Sequence, residues 1–411
     1  MDMPSTSPFR LIMNPRAARQ TPYGVEGRPE ILSLAAFARA KSEITSWPGY
    51  ALTPLRRLPA VSGELGIAAL YYKDEAARFG LGSFKALGGA YAVLRLLQQA
   101  IGRKTGATAS SREITAGSHA DLVSGITVTC ATDGNHGRSV AWGAQTFGCR
   151  CVIYVHGGVS EGRCRAIAAY GAEVRRVAGT YDDAVRRAAS DAADHGWSVV
   201  SDTSYEGYVD VPRDVMQGYS LMVEEALQQM PAGVRPTHVF VQGGVGGLAA
   251  GICAYLWERF GAERPLFVVV EPDKADCLYR SAVAGRPTPA EGALDTIMAG
   301  LACGEVSVLA WRILDPGADA FMTIGDEAAA DAMRLLASGG GGEGPVVAGE
   351  SAVAGLAGLL AAGKSDQARR ALALVADSVA LVFGTEGATD PELYRRIVGR
   401  GADAVAEVQS A

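Results

Sequence analysis

Short apolar runs alternate with helical stretches along most of this chain, and that alternation restricts the fold more than any other feature. Ile67–Lys73, Ile126–Cys130, Cys151–Val155, Glu173–Val177, Ser198–Ser201, His238–Val241, Leu266–Glu271 and Val379–Phe383 read as strands. Helices are expected over Ala86–Gln99, Ser139–Phe147, Gly162–Tyr170, Tyr181–His195, Val211–Met230, Leu248–Phe260 and Ser351–Ala362. Strands that are apolar on both faces belong in parallel sheets covered by helices, so the fold class is α/β. The polar stretch up to residue 45 reads as a surface-wrapping arm. Arg103–Ser124 reads as a polar surface loop, and Gly339–Gly344 as a flexible one.

A length of 411 residues gives ample core for two or three lobes. The net charge of −6 gives no support for a nucleic-acid partner. The start, Met1-Asp2-Met3-Pro4-Ser5, has neither a basic nor an apolar signal region, and no run reaches membrane-spanning length. A cytoplasmic protein with no membrane partner is expected. The seven cysteines form no Cys-x-x-Cys pair, so no metal site is expected. Cys277 and Cys303 fall in segments read below as functional, which leaves a redox-sensitive pair open.

Lysine is rare, six residues against 32 arginines. Lys85 lies between a turn-forming Gly80-x-Gly82 and the apolar run Ala86–Leu97. A lysine entering low-polarity surroundings loses preference for its charged form and becomes a nucleophile able to form a Schiff base. The competing reading is a helix-start lysine snorkelling to water.

Three glycine-rich turns follow apolar strands. Gln242-Gly243-Gly244-Val245-Gly246-Gly247 opens a helix, where bare backbone and first-turn amides can hold a phosphate. Gly244, Gly246 and Ala249, with Glu271 ending the next strand, also satisfy a loose dinucleotide fingerprint, so NAD stays open on this loop alone. Thr132-Asp133-Gly134-Asn135-His136-Gly137 could hold a carboxylate, or could be a turn capped by Thr132 or Asp133. Gly384-Thr385-Glu386-Gly387 is the third. Open α/β sheets bind ligands at strand C-termini, so these loops are expected to converge on one cleft. A lysine, a phosphate cradle and an anion loop together suit pyridoxal phosphate.

These motifs resemble the fold type II pyridoxal-phosphate enzymes, the tryptophan synthase β/threonine dehydratase group. Ser83-Phe84-Lys85 is similar to their Schiff-base segment, Thr132–His136 to their Ser-x-Gly-Asn-His loop, and Gly243–Gly247 to their phosphate loop. Further stretches resemble the diaminopropionate ammonia-lyases: Lys73–Glu75, Arg78–Gly88, Ala131–Arg138, Glu206–Tyr208, Met216–Tyr219, Glu271–Leu278, Thr296–Leu301 and Thr385–Pro391. Gly243 stands where that family usually has alanine. The resemblance spans about residues 50–395 and leaves out the loop 103–124.

The resemblance implies two open, mostly parallel sheets with the active site between a large and a small domain. Residues 1–90 and 215–411 would form the large cofactor-binding domain, and 91–214 the small domain carrying the Asn/carboxylate loop. Lys85 would hold the cofactor as a Schiff base. Gly243, Gly244, Val245, Gly246 and Gly247 would hold its phosphate, Asn135 would lie by its 3-hydroxyl, and Thr385 would face its ring nitrogen. Thr132, Asp133, Gly134, His136, Asp202 and Tyr208 would bind substrate, although His136 and Tyr208 also read as packing residues. A homodimer is the family expectation.

Two carboxylates bear on the substrate. Threonine dehydratases usually carry a small neutral residue at the position of Asp133, and Asp202 follows the strand Ser198–Ser201. 2,3-Diaminopropionate has an extra Cβ ammonium that such carboxylates would complement. Lys85 on one face and Asp133 on the other would let both enantiomers lose a Cα proton, giving pyruvate and two ammonia. Asp133 as an N-cap and Asp202 as a strand-end turn residue are the structural alternatives. Competing functions are a serine/threonine-type dehydratase, an eliminase for another β-substituted alanine, a cofactor-binding protein without turnover, and an NAD oxidoreductase.

Overall fold

The computed structural model describes residues 9–25, 27–132 and 134–410. Its chain divides into two units: residues 1–30, 52–77 and 222–411, and residues 31–51 and 78–221. The fourth boundary falls inside the helix Asp210–Gln229.

Eleven strands are present among the described residues: β1 (Phe9–Met13), β2 (Leu55–Arg57), β3 (Ala69–Asp74), β4 (Thr127–Ala131), β5 (Arg150–His156), β6 (Glu173–Val177), β7 (Ser198–Val199), β8 (His238–Gln242), β9 (Leu266–Pro272), β10 (Ala320–Ile324) and β11 (Val379–Gly384). The larger unit holds a seven-stranded sheet in the order β1-β10-β9-β8-β11-β3-β2. Its five inner strands are parallel and the two edges antiparallel. β3, β8 and β10 are buried at every position; β3 and β8 fall where apolar runs are read, whereas β10, like the edge strands β1 and β2, is not among the strands read from the sequence. The smaller unit holds a fully parallel sheet, β6-β5-β4-β7.

Three local expectations are corrected. The N-terminal stretch is more than a surface-wrapping arm: it supplies edge strand β1 and the helix Leu34–Ile44, whose cap Ser33 accepts from Ala36 N–H. Residues 103–124 are no plain loop. The helix from Ala86 runs on to Thr105, and short helices Ser111–Thr115 and Ala120–Val123 follow. Ser110 and Glu113 close a reciprocal capping box that starts the first of these. The Gly339–Gly344 run is a packed turn. A Cβ at Gly341 would stand 2.6 Å from Leu58, and Gly341 O accepts from Ala60 N–H.

Lys73 shows what a spent lysine looks like here. Fully buried in β3, it pairs with Glu225 at 2.9 Å and donates to Thr53 O and Gln229 Oε1, both at 2.8 Å. Such an enclosed pair is structural, since removing one partner strands the other charge in the core.

Candidate active site

In the smaller unit the turn before Lys85 is tight. Gly80 and Gly82 have φ of 71° and 72°, and Phe79, which has a Cβ, is also left-handed at φ 52°. That conformation costs a side-chain-bearing residue roughly 1–2 kcal/mol. Packing of the Phe79 ring against Trp142 (4.8 Å) and Trp47 (5.8 Å) offsets it. The turn sets Lys85 immediately before the helix Ala86–Thr105.

Glycines then let helices cross closely around it. A Cβ at Gly88 would meet the Tyr219 ring at 2.4 Å, and one at Gly218 would meet Leu87 O at 1.8 Å. Gly89 and Gly143 do the same for the helix Asn135–Phe147, where added Cβ atoms would meet Ser139 at 2.0 Å and Ala90 at 2.8 Å. The Lys85 amine consequently lies over two rings, Phe84 at 5.4 Å and Tyr219 at 5.8 Å. Burial pushes the Tyr219 phenol well up, although the Lys85 charge pulls it down.

The Lys85 amine donates to Asp202 Oδ2 at 2.7 Å, with 21% exposure on each side chain. Burial alone would raise the Asp202 carboxyl. The Lys85 ammonium, then His136 and the hydrogen bond from Lys85, instead hold it well below the usual carboxylate range. β7 pairs with β4 (Val128 with Ser198, Thr129 with Val199), so Asp202 emerges at the same sheet edge as the turn after β4. Tyr208 braces the approach: its hydroxyl donates to Val199 O at 2.9 Å and accepts from Ser201 N–H at 3.0 Å.

In that turn Thr132 caps the helix, its hydroxyl accepting from Gly134 and Gly137 N–H at 3.1 Å each. Those two amides are thereby turned onto Thr132. The helix begins at Asn135, four residues ahead of the expected Ser139, and so places Asn135 and His136 in its first turn. His136 Nε2 lies 2.8 Å from Val200 O, which makes Nε2 the protonated nitrogen. Nδ1 is buried, 3.8 Å from Asp202 Oδ2. Burial lowers the His136 pKa, against the pull of Asp202. Asp133 lies outside the described residues.

In the larger unit, Gly243–Gly247 joins β8 to the helix Gly247–Phe260. Gly244 and Gly246 have φ of 59° and 96°. A Cβ at Gly243 would stand 2.6 Å from Glu271 Cγ, and one at Gly246 3.0 Å from Ala310 Cβ. Only bare backbone fits. The first-turn amides have no carbonyl of their own helix to bond. That cradle fits a phosphate, and the Lys85 amine fits an aldehyde, the two groups pyridoxal phosphate carries. Thr385, after β11, is buried, and its Oγ1 accepts from Gln242 Nε2 at 2.9 Å.

Glu271 does not serve as a ribose acid. It is fully buried and its oxygens accept from Leu278 and Tyr279 N–H at 3.0 and 2.7 Å. Burial pushes its carboxyl up to about 8, and those amides pull it down. Cys277 and Cys303 are not joined by a disulfide. Burial pushes the Cys277 thiol up, and Glu271 and Cys303 push it further.

Sequence reasoning gave no role of their own to Tyr219 and Gln242, although both lie in stretches it singled out. Gln242 had a signal, a polar side chain closing the otherwise apolar strand before the glycine loop. Tyr219 had only its place in the stretch Met216–Tyr219, because its position over Lys85 depends on a helix crossing.

Residues 47–377 match the model of the pyridoxal-phosphate dependent enzyme family. The diaminopropionate ammonia-lyase of Escherichia coli (strain K12) is 43% identical over 365 residues, covering 87% of this chain and 90% of that protein. The holo crystal structure of the Escherichia coli diaminopropionate ammonia-lyase superposes with a TM-score of 0.86 at 38% identity, covering 97% of this chain and 98% of that one. Its complex with D-serine gives 0.85 at the same identity and coverage. The chain therefore belongs to the fold type II pyridoxal-phosphate dependent enzymes and, within them, to the diaminopropionate ammonia-lyases.

Proposed function

We propose that this protein is a pyridoxal-phosphate dependent carbon–nitrogen lyase that converts D- and L-2,3-diaminopropionate, with one water, to pyruvate and two ammonia. The cofactor, when bound, supplies an electron sink for the carbanion at Cα. In this reading Lys85 anchors the cofactor aldehyde, Gly243–Gly247 hold the phosphate, Asn135 lies by the 3-hydroxyl, and Thr385 faces the ring nitrogen. The larger unit is then the cofactor-binding body, and the smaller one carries the carboxylate loop. Lys85 takes the Cα proton on one face and Asp133 on the other.

The observation that carries this reading is the 2.7 Å pair between Lys85 and Asp202. A half-shielded carboxylate, held ionised, needs a cation beside it. When the Lys85 amine is committed to the cofactor or acts as a base, its charge leaves Asp202. The Cβ ammonium of diaminopropionate can take that place, whereas the hydroxyl of serine or threonine cannot. Thr132, Gly134, His136 and Tyr208 then shape the carboxylate turn and hold the Asp202 segment in position.

Among the described residues no helix is long and apolar enough to cross a membrane. We take the enzyme to act in the cytoplasm on a small amino acid, as a homodimer. The test is pyruvate and ammonia release from the cofactor-loaded protein. Two ammonia per pyruvate from both diaminopropionate enantiomers, with weak turnover of L-serine and L-threonine, is expected. Turnover confined to serine or threonine would make the chain a dehydratase and overturn the reading.

A further inference from the structure

β8 and β11 run side by side in parallel, with Val382 opposite Phe240. Two residues further on, that register sets Gln242 beside Gly384, next to Thr385. Gln242 is 1% exposed. Its amide nitrogen lies 2.8 Å from Phe383 O, 3.0 Å from Ala352 O and 2.9 Å from Thr385 Oγ1.

Two of those neighbours are backbone carbonyls, which only accept. They decide which end of the amide faces them, because a flipped side chain would press Oε1 against two other oxygens. The cost of the observed orientation is visible: Oε1 is buried and has no hydrogen-bond partner among the described residues. Thr385 Oγ1 therefore looks at an amide nitrogen, a group that donates and cannot accept. The single hydroxyl proton cannot be spent on Gln242. Among the described residues the only recorded hydrogen bond of that hydroxyl is the one it accepts from Gln242.

We propose that Gln242 is a positioning residue that fixes the direction of the Thr385 hydroxyl proton, so that Thr385 donates to the cofactor ring nitrogen and keeps that nitrogen an unprotonated acceptor. The proposal rests on the reading that Thr385 faces this nitrogen. Both residues are almost sealed from water, at 1% and 3% exposure, so no solvent competes for the proton. The two amide protons are shared among the three acceptors, Phe383 O, Ala352 O and Thr385 Oγ1. Without the amide, the hydroxyl loses the donor that fixes its orientation.

The test is ¹⁵N NMR of the holoenzyme loaded with pyridoxal phosphate labelled at the ring nitrogen. The readout is that nitrogen itself and does not depend on turnover. In the unsubstituted protein the resonance should lie upfield of a ring nitrogen that receives no hydrogen bond. Thr385→Val should move it downfield. Gln242→Met should move it in the same direction, because the hydroxyl loses the donor that fixes its orientation. Gln242→Glu keeps the shape of the side chain and gives the hydroxyl an acceptor, so it should do likewise and serves where the methionine variant folds poorly. If Thr385→Val leaves the resonance in place, the assignment of Thr385 to the ring nitrogen fails. If Thr385→Val moves it and neither Gln242 variant does, that assignment stands and the role of Gln242 is overturned.

Discussion

Replacing Asp202 with asparagine separates charge from shape at the point where substrate choice is proposed to reside. The carboxylate accepts from Lys85 at 2.7 Å and each side chain is 21% exposed, so the pair is neither solvent-screened nor sealed. A hydrogen bond to a charged group contributes roughly 1.5–3 kcal/mol, against about 0.5–1.5 kcal/mol for a neutral one. If Asp202 exchanges the Lys85 ammonium for the Cβ ammonium of diaminopropionate, Asp202→Asn removes an interaction of the first kind. At about 1.4 kcal/mol per tenfold, kcat/KM for diaminopropionate should fall about 10- to 150-fold. Serine presents a hydroxyl, which asparagine can still bond, and should lose less than about tenfold. Any damage to Lys85 itself is common to both substrates and cancels in their ratio. The assay is pyruvate formation from each substrate with wild type and variant under identical conditions. An unchanged ratio of the two kcat/KM values, whatever the absolute loss, would refute the argument that Asp202 recognises the second amine.

Two further perturbations probe the scaffold. Glu271 is raised by burial to about 8, so its protonation contributes stability that is fully present below its unfolded pKa of about 4.5 and is lost as pH rises through about 8. Thermal melts should therefore fall between pH 5 and pH 8, by an amount corresponding to a few kcal/mol. Glu271→Gln should flatten that slope while losing one of the two caps on Leu278 and Tyr279; an unchanged slope would mean that Glu271 is ionised in the fold. Gly88→Ala would place a methyl 2.4 Å from the Tyr219 ring, which must shift or push the helices apart. A destabilisation of about 1–3 kcal/mol in denaturant melts is expected, with altered Tyr219 contact to Lys85 read from tyrosine fluorescence. Wild-type stability there would show that the crossing is looser than its geometry implies.

The parts of this protein legible in the sequence are those whose cause is local. The alternation of apolar runs and helical stretches identified the α/β class, because a strand buried on both faces has little choice but apolar residues. The helix Tyr181–His195 and strand β6 fall where periodicity alone placed them. The glycine loop after β8 was readable because left-handed backbone at Gly244 and Gly246 admits few other residues. Even the misread stretch 103–124 carried its own correction, the Ser110-x-x-Glu113 capping box.

What the tertiary structure alone decided is which distant residues meet. Lys85 and Asp202 are 117 positions apart, and Gln242 and Thr385 are 143 apart. The first pair meets because β7 lies against β4 and because helices cross closely over Gly88, Gly89, Gly143 and Gly218. The second meets because β8 and β11 are adjacent in register, although 136 residues lie between the end of β8 at Gln242 and the start of β11 at Val379. Sequence periodicity says which face a residue occupies and nothing about which strand lies beside it. Nor could it show that Glu271, apt in position for a ribose, has both oxygens occupied by a helix start. Residue type and local backbone demand are written along the chain, whereas strand order and helix crossing are set by packing the whole core at once, and the charges and hydrogen bonds of the site follow from that packing.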